Sequence, residues 1–447
     1  MSAAEMKLLL SLCVVLAVLW SAVQGNGHSG RQPHPRPSGH DRSHGHGRGH
    51  HHGKGHWREH GQEHEGHHFN GSLKIYRENI DFAFRLYKHI SALPDSQSKN
   101  VFFSPLSVSV ALAALSVGAR GKTHQELFEG LGFNGTDVTA EEVNEAFQHI
   151  FQDLNKKTDV DLSLGSAAFI SDKAKVNDEF LKSIKRYYQA DSFQTDFQDT
   201  DGAKNQINDY VKNKTKGKIP ELIDSMEQGV FMYLLSYIYF KGEWEIPFDP
   251  DSTQEDTFHI DDKTTVPVQM MAEQNFFHVY HDKEISTHVL QMHYNESVSM
   301  MLVLPEKGLK ELEKVACKDH LRKWIRSVEK KKYKVFVPKL SIKTKYQLKE
   351  ILIEMGITDI FKATADLKGI ADEQLVVSKV AHMATLDVDE AGTEAAAATA
   401  VEIMLTSALM PHPTPVLKFD RPFMVFVVNR ETRSILFMGK IVNPAEK

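Results

Sequence analysis

The sequence predicts a mixed α/β domain, and three patterns support this prediction. Apolar residues recur at four-residue spacing in Asn79–Ile90, which is the period of an amphipathic helix. Apolar runs and alternations typical of strands occupy Gly229–Asp249, Ser297–Pro305 and Phe423–Val442, and the last of these predicts a hairpin that turns at Arg430–Arg433. A long Ala- and Thr-rich connection, Glu390–Pro415, separates two β-rich regions, and compact domains rarely keep such connections without a functional reason.

Residues 1–25 have the pattern of a secretory signal peptide. Lys7 precedes an apolar run, and the small residues of Ser21–Gly25 follow it. The run is too short for a membrane span, and no other long apolar stretch occurs. We therefore expect a secreted, extracellular and soluble protein.

The composition is that of a soluble globular protein. The chain has 447 residues, of which 41% are hydrophobic, and a formal net charge of −6, so nothing in it predicts nucleic-acid binding. Cys13 lies in the predicted signal peptide, which leaves Cys317 as the single cysteine of the mature chain. No internal disulfide is then expected, and stability must come from a large apolar core.

Residues 26–70 consist largely of His, Gly, Arg and Pro, and they predict a disordered segment because they offer little apolar surface to bury. Neutral imidazole binds Zn, Cu and Ni, and a mobile tract can gather several rings around one ion. The alternative is a solvated, pH-sensitive polycationic tail without a metal. No cofactor is required by the folded domain. The densest candidate ligands are His44, His46, His50, His51, His52 and His56.

Asn-x-Ser/Thr acceptors for N-glycans occur four times in a chain that we expect to be secreted. Asn134 and Asn295 have the better context, because Gly or polar residues surround them. The four positions are Asn70, Asn134, Asn213 and Asn295.

The Glu390–Pro415 connection has a neutral face when it is examined with the two-residue period of a strand. Thr393, Ala395, Ala397 and Thr399 share one parity, whereas Glu394 lies on the other. The segment can therefore enter a sheet with its neutral face inward. An Ala-rich helix or linker is the alternative, because Ala is a poor strand former.

Three motifs in this chain resemble those of the serpins, the serine protease inhibitors. Glu390–Ala400 (EAGTEAAAATA) is similar to the inhibitory hinge, Leu417–Val427 (LKFDRPFMVFV) to the C-terminal signature, and Asn100–Thr123 to the helix B region. The resemblance covers residues 73–447 and is strongest to the plasma antitrypsin and antichymotrypsin clade. Typical serpins lack a His-rich extension, so the resemblance does not account for residues 26–70.

The resemblance implies a serpin domain with three β-sheets, about nine helices and an exposed reactive-centre loop at about 390–415. It also assigns roles to single residues. The implied hinge residues are Glu390, Gly392, Thr393, Glu394, Ala395, Ala397 and Thr399. The implied shutter and breach residues, a polar cluster beneath the main sheet and a tryptophan where the loop would first enter it, are Asn100, Ser104, Ser107, Asn208, His382 and Trp244.

The implied function is suicide inhibition of a serine protease, with which a monomeric inhibitor forms a covalent complex. Counted from Glu390 with the spacing of the antichymotrypsin-like serpins, the resemblance implies a reactive bond at Thr406–Ser407, and Leu405–Thr406 is the second choice. Residues 391–417 contain no Lys or Arg, which favours elastase- or chymotrypsin-like targets over trypsin-like ones. The sequence contains no G-x-S-x-G, H-E-x-x-H or phosphate-loop motif, so we do not expect an enzyme.

Two alternative functions and one further partner remain open from the sequence. The resemblance allows a non-inhibitory hormone carrier, since fold does not determine function. The His tract allows a metal-binding serpin. Basic residues in Cys317–Ile342 allow glycosaminoglycan binding, although most such runs are solvated surfaces. These basic residues are Arg322, Lys323, Arg326, Lys330, Lys331, Lys332 and Lys334.

Overall fold

The computed structural model describes residues 62–135, 137–155, 160–294, 297–391 and 413–446, with side chains from residue 75 on except that of Val160. All of them belong to one compact unit, His60–Lys447. Nine α-helices occur in the described part of the chain. They are α1 Gln62–Ala92, α2 Pro105–Gly118, α3 Gly121–Leu131, α4 Ala140–Asn155, α5 Asp178–Tyr188, α6 Thr200–Lys214, α7 Leu309–Val315, α8 Lys318–Ser327 and α9 Lys349–Glu354.

Fourteen strands are described. They are β1 Val101–Phe103, β2 Val160–Ser171, β3 Asp191–Thr195, β4 Met232–Gly242, β5 Gln254–His259, β6 Thr265–Asp282, β7 Thr287–His293, β8 Val298–Pro305, β9 Glu329–Pro338, β10 Leu340–Gln347, β11 Lys379–Val388, β12 Val416–Lys418, β13 Phe423–Asn429 and β14 Ile435–Ile441.

The strands form a five-stranded sheet and a nine-stranded sheet. The five-stranded sheet has the order β10-β11-β4-β2-β3, and the main path of the other is β1-β14-β13-β8-β7-β6-β9-β12, with β5 beside β6. Strand β6 pairs with β5 and β9 along most of its length and changes to β7 at His278–Val279. The nine-stranded sheet is therefore two sheets joined through one long strand. This accounts for the predicted three sheets, and the predicted mixed α/β fold class is confirmed.

Helix α2 lies in the core because it is apolar on all sides. Nearly every residue of this helix is buried, and it contacts β14 of the nine-stranded sheet and β2 and β4 of the five-stranded sheet. Pro105 occupies the first helical turn, where no hydrogen-bond donor is needed. Ser104 caps the helix, since its Oγ accepts the N–H of Ser107 at 3.1 Å. The N-terminus of α2 is thereby fixed beneath the five-stranded sheet.

Helix α1 is longer than the sequence pattern predicts. It contains Asn79–Ile90 but begins at Gln62, inside the segment 26–70 that we expected to be disordered. The buried face of the helix, which includes Ile75, Phe82 and Leu86, anchors it in the core. Residues 62–70 contain no proline, so they continue the anchored helix toward the N-terminus. The four-residue spacing marks only the packed part of a helix.

Candidate functional site

The ring of His382 lies at the centre of a buried polar cluster. Its Nε2 accepts the backbone N–H of Ser104 at 2.9 Å, and its Nδ1 lies 2.9 Å from Ser236 Oγ and 3.3 Å from Ser107 Oγ. Because Nε2 accepts a hydrogen bond, Nδ1 must carry the proton and donate. We call these four residues the His382 cluster. Each of them is at most 1% exposed.

Burial keeps His382 neutral and lowers its pKa to about 3. A proton added to Nε2 would also point at the Ser104 N–H and remove the acceptor that this group needs. The cluster is therefore stable only with a neutral imidazole.

The His382 cluster joins two parallel strands. β11 and β4 pair in parallel from Lys379↔Tyr233 to Leu386↔Phe240, and His382 stands directly opposite Ser236 in this ladder. Ser104 and Ser107 belong to the N-terminus of α2. The bond from His382 to Ser236 thus crosses between the strands, while the bond to Ser104 fastens β11 to the helix below. Any separation of β4 from β11 must break or rebuild these contacts.

Ser236 is a cluster residue that the sequence pattern does not single out. It sits inside the apolar run Met232–Gly242, where one serine looks like an ordinary strand residue. One feature could have identified it: a polar side chain in a fully buried strand needs a hydrogen-bond partner.

Asn100 and Asn208 lie outside the His382 cluster, contrary to the expected grouping. Asn100 Oδ1 accepts the N–H groups of Val442 and Asn443, and its Nδ2 donates to Asn443 O at 2.7 Å. Asn208 accepts the N–H groups of Leu222 and Ile223 and donates to Ile223 O. Each amide makes three hydrogen bonds to backbone groups of a neighbouring segment, so the two residues hold those segments in place rather than contact His382.

Trp244 lies where the chain leaves the end of β11. Its Nε1–H donates to Asp389 O at 2.9 Å, and its ring stacks on that of Tyr294 with centroids 4.0 Å apart. The backbone N–H of Trp244 also donates to Ala391 O at 3.4 Å. The tryptophan is 4% exposed, so it is both a core aromatic and an anchor for the backbone that follows β11.

Glu390 is held by three further contacts. Its backbone O accepts the Phe248 N–H at 2.9 Å, its Oε1 accepts the Thr253 hydroxyl at 2.8 Å, and its Oε2 lies 2.7 Å from Lys339 Nζ. Burial acts to raise the pKa of Glu390, but the hydrogen bonds from Lys339 and Thr253 outweigh it and leave this pKa below its ordinary value. Together with Trp244 these contacts fix the first residues of the connection between β11 and β12.

The comparisons with known proteins agree with this architecture. The family described as "Serpin (serine protease inhibitor)" matches residues 77–444. This chain is a serpin.

The relatives of this serpin include an antiproteinase and an antichymotrypsin. Alpha-1-antiproteinase 2 of Equus caballus is 42% identical over 393 residues, which cover 87% of this serpin and 92% of the relative. Alpha-1-antichymotrypsin of Homo sapiens is 41% identical over 391 residues, covering 86% and 92%.

Among solved structures, human thyroxine-binding globulin complexed with thyroxine has a TM-score of 0.78 at 39% identity, covering 84% of this serpin and all of that chain. Human glycosylated kallistatin has a TM-score of 0.77 at 39% identity, with coverage of 84% and 100%. Serpins are in general inhibitors of proteases and not enzymes.

Several predicted site residues of this serpin fall outside the described residues. These are the reactive-bond candidates Leu405, Thr406 and Ser407, the hinge residues Gly392, Thr393, Glu394, Ala395, Ala397 and Thr399, the acceptor Asn295, and the metal candidates His44, His46, His50, His51, His52 and His56. The predicted signal peptide, residues 1–25, lies there too. Within the part of the chain that the structure covers, no helix has the length and apolarity to cross a membrane.

The other predicted acceptors and the basic run can be located. Asn134 and Asn213 are exposed, and Asn134 Nδ2 donates to Glu129 Oε1 at 3.0 Å, whereas only the helical backbone of Asn70 is described. Part of the basic run is neutralised by acidic neighbours. Lys323 pairs with Asp282 and Glu284, and Lys331 pairs with Glu329. These pairs reduce the positive charge that the run could offer to a glycosaminoglycan.

Proposed function

We propose that this protein is a secreted inhibitor of serine proteases that acts by inserting its loop between β4 and β11. The target attacks the loop and forms an acyl-enzyme through its catalytic serine. The loop then enters the five-stranded sheet as an extra strand, a serpin behaviour that is well established in general. The acylated protease is carried along and distorted before it can deacylate. The observation that supports this proposal most is the continuous parallel β4–β11 ladder beside an anchored hinge.

The direction of the chain suits this insertion. A segment that turns back after Val388 runs antiparallel to β11, and because β4 is parallel to β11 it runs antiparallel to both. One parallel ladder is thereby replaced by two antiparallel ladders, which have the better hydrogen-bond geometry. The insertion increases the number of backbone hydrogen bonds in the sheet.

The lengths match as well. β4 has 11 residues and β11 has 10, so the gap between them accepts a strand of similar length. The Ala- and Thr-rich segment between Glu390 and the apolar Ile403–Leu409 has 12 residues, which is close to the length of these strands. Its small side chains on alternate positions suit a sheet face that packs on the core.

The hinge contacts supply a fixed pivot. Trp244 holds Asp389 O and Ala391 O, and Phe248 holds Glu390 O, so insertion must start beyond Ala391. Thr393 is then the first small side chain on the inward parity.

The target class follows from the loop sequence. Residues 391–417 lack Lys and Arg, while Leu405 and Thr406 suit the pockets of chymotrypsin- and elastase-like proteases. We place the reactive bond at Thr406–Ser407, with Leu405–Thr406 as the second choice.

The test is to incubate the purified full-length protein with an elastase-like, a chymotrypsin-like and a trypsin-like protease. Denaturing gels detect the covalent adduct, and mass spectrometry of the released C-terminal peptide identifies its first residue. We expect an adduct with one of the first two enzymes and a peptide that begins at Ser407 or Thr406. Cleavage by every active protease without an adduct would contradict inhibition.

A carrier function is the second candidate, because thyroxine-binding globulin is similar at 39% identity over most of this chain. Thyroxine titration of the intact protein, followed by fluorescence of its tryptophans, tests it. Saturable binding without any protease adduct would favour the carrier, and an adduct without saturable binding would favour the inhibitor.

A further inference from the structure

Two histidines and one glutamate converge on the surface of the nine-stranded sheet. His281 Nε2 lies 3.1 Å from Glu306 Oε1, and His288 Nε2 lies 3.0 Å from the same oxygen. The two imidazoles stack with centroids 4.2 Å apart and an interplanar angle of 10°. One ligand atom from each of the three residues lies within 4.8 Å of the other two.

The strand register produces this convergence. His281 of β6 stands directly opposite His288 of β7, so both side chains project from the same face. In the β7–β8 pair His288 stands opposite Leu304, and Glu306 follows Leu304 by two residues. The Glu306 N–H donates to Ser286 O at 2.9 Å and extends the ladder, which keeps Glu306 on the face of His288. Backbone pairing therefore holds all three side chains together.

We propose that His281, His288 and Glu306 form a binding site for a divalent transition metal ion, of the class of zinc, copper or nickel. Two imidazoles and one carboxylate are ligands that zinc uses, with a fourth position left to water. Tetrahedral bonds of about 2.1 Å separate ligand atoms by roughly 3.4 Å. The present separations of 3.1 and 3.0 Å need to open by only a few tenths of an ångström. Each imidazole then carries its proton on Nδ1 and binds the metal through Nε2. Glu306 coordinates the metal with the carboxylate that now faces the two Nε2 atoms.

The charges around the site are compatible with a cation. Burial lowers the pKa of His288, and the neighbouring His281 and Arg421 lower it further against the opposing effect of Glu306. The neutral imidazole is the form that binds metal. Of the three neighbours that act on His288, Arg421 is the one with a permanent positive charge. This charge is partly neutralised, because Arg421 Nη1 lies 3.3 Å from Asp420 Oδ1. Its Nε donates to Pro305 O rather than to Glu306.

This site is distinct from the His-rich tail and from the β4–β11 ladder. It belongs to the nine-stranded sheet, and it is fixed by three strands, whereas the tail is a run of His without a regular spacing. A bound ion would join the ends of β6, β7 and β8. Because unfolding separates these strands, the site should bind metal only in the folded protein and stabilise it.

The test uses the full-length protein with free zinc held constant by a chelator buffer, so that binding by the tail does not change the free concentration. Carbethoxylation of each histidine is followed by peptide mass spectrometry, which reports His281 and His288 separately from the tail. We expect zinc below about 0.1 mM to protect both rings. Exposed His259 on β5 should react at an unchanged rate. In the Glu306→Gln variant, half-protection should need about tenfold more zinc.

A second measurement separates a folded site from weak surface binding. Zinc should raise the unfolding midpoint of the wild type and of a His259→Gln control by the same amount, and that of His288→Gln by less. A shift that is equal in all three proteins, or protection of His259 along with His281 and His288, would overturn the proposal. Absence of protection at 0.1 mM free zinc would overturn it as well.

Discussion

Lys339 Nζ lies 2.7 Å from Glu390 Oε2, and this ion pair ties the residue before β10 to the residue where the chain leaves β11. The glutamate side chain is 13% exposed and the lysine 39%. The two residues thereby fasten the start of β10 to the chain that leaves β11.

Removing this ion pair should loosen the native hinge. We expect Lys339→Met to lower the free energy of unfolding by about 0.5–1 kcal/mol at neutral pH, since the lysine is partly solvated. Glu390→Lys should cost more, because it places a second ammonium group beside Lys339. Urea unfolding midpoints measure both effects, with Glu394→Lys as a control for charge change in the loop.

The contribution of the pair should vanish in acid. The pKa of Glu390 is below its ordinary value in the folded protein, so the unfolded state takes up its proton first as the pH falls. Stability from this group is present above about pH 4.3 and is lost as the pH drops through the folded pKa. The unfolding free energies of the wild type and Lys339→Met should therefore differ at pH 7. They should converge once the pH is below the pKa that Glu390 has in the folded protein. A difference that stays constant with pH would contradict the assignment.

Acid should weaken the contact between β4 and β11 through His382. Its pKa is about 3 in the folded protein and about 6.5 in the unfolded chain, so stability falls from pH 6.5 down to about pH 3. At pH 5 the loss is roughly 2 kcal/mol. The unfolding midpoint of His382→Phe should be lower at pH 7, because the Ser104 N–H loses its acceptor, at a cost of about 1–3 kcal/mol. Its midpoint should also depend less on pH than that of the wild type. An unchanged pH dependence would show that His382 titrates normally.

The parity of the hinge can be tested with one pair of substitutions. Thr393→Arg should turn the inhibitor into a substrate, because insertion would bury an unpaired guanidinium at a cost of several kcal/mol, about 3–5 by comparison with broken buried pairs. Glu394→Arg, on the outward parity, should be much milder. The measurement is the ratio of cleaved inhibitor to covalent complex for each variant. Equal trapping by the two variants would refute the insertion proposed here.

The His-rich tail should bind zinc or nickel reversibly, with protons competing below a pH of about 6.5. Deleting residues 26–68 should remove the weak, multiple binding events seen by titration calorimetry and leave protease inhibition nearly intact. The His281, His288 and Glu306 site should remain in that protein as a single event. Equal total metal uptake with and without the tail would contradict the prediction.

The sequence predicted the elements of the fold better than the contacts between them. The periodicity of Asn79–Ile90 and Ser297–Pro305 and the turn at Arg430–Arg433 sufficed for a helix, a strand and a hairpin, all confirmed. Periodicity cannot say that Ser236 stands opposite His382, because the register of β4 against β11 depends on how distant strands pack. Periodicity also cannot predict that Asn208 accepts the N–H groups of Leu222 and Ile223, because these two residues lie in an irregular segment without a repeating pattern.

The metal-ligating histidines are a different case. His281 and His288 flank a short turn symmetrically, and a hairpin prediction over this turn would have paired them. Glu306 could not have been added, because its place depends on the next strand and on one hydrogen bond to Ser286. The pairing of two residues across one hairpin can be predicted from sequence, whereas the position of a third ligand is known only once the whole sheet is assembled.

The pairing of β1 with β14 has a consequence for biosynthesis. Val101 pairs with Lys440, and Asn100 receives the N–H groups of Val442 and Asn443, so β1 gains its partner strand only after the chain has been made as far as these residues. At about 5–20 residues per second the ribosome needs roughly 20–60 s to travel between them. Throughout that interval β1 has an open edge, and the core above α2 lacks its final strand. The nascent chain therefore stays unfinished for tens of seconds after β1 is made, and a truncation that removes β14 would leave β1 permanently without its partner strand.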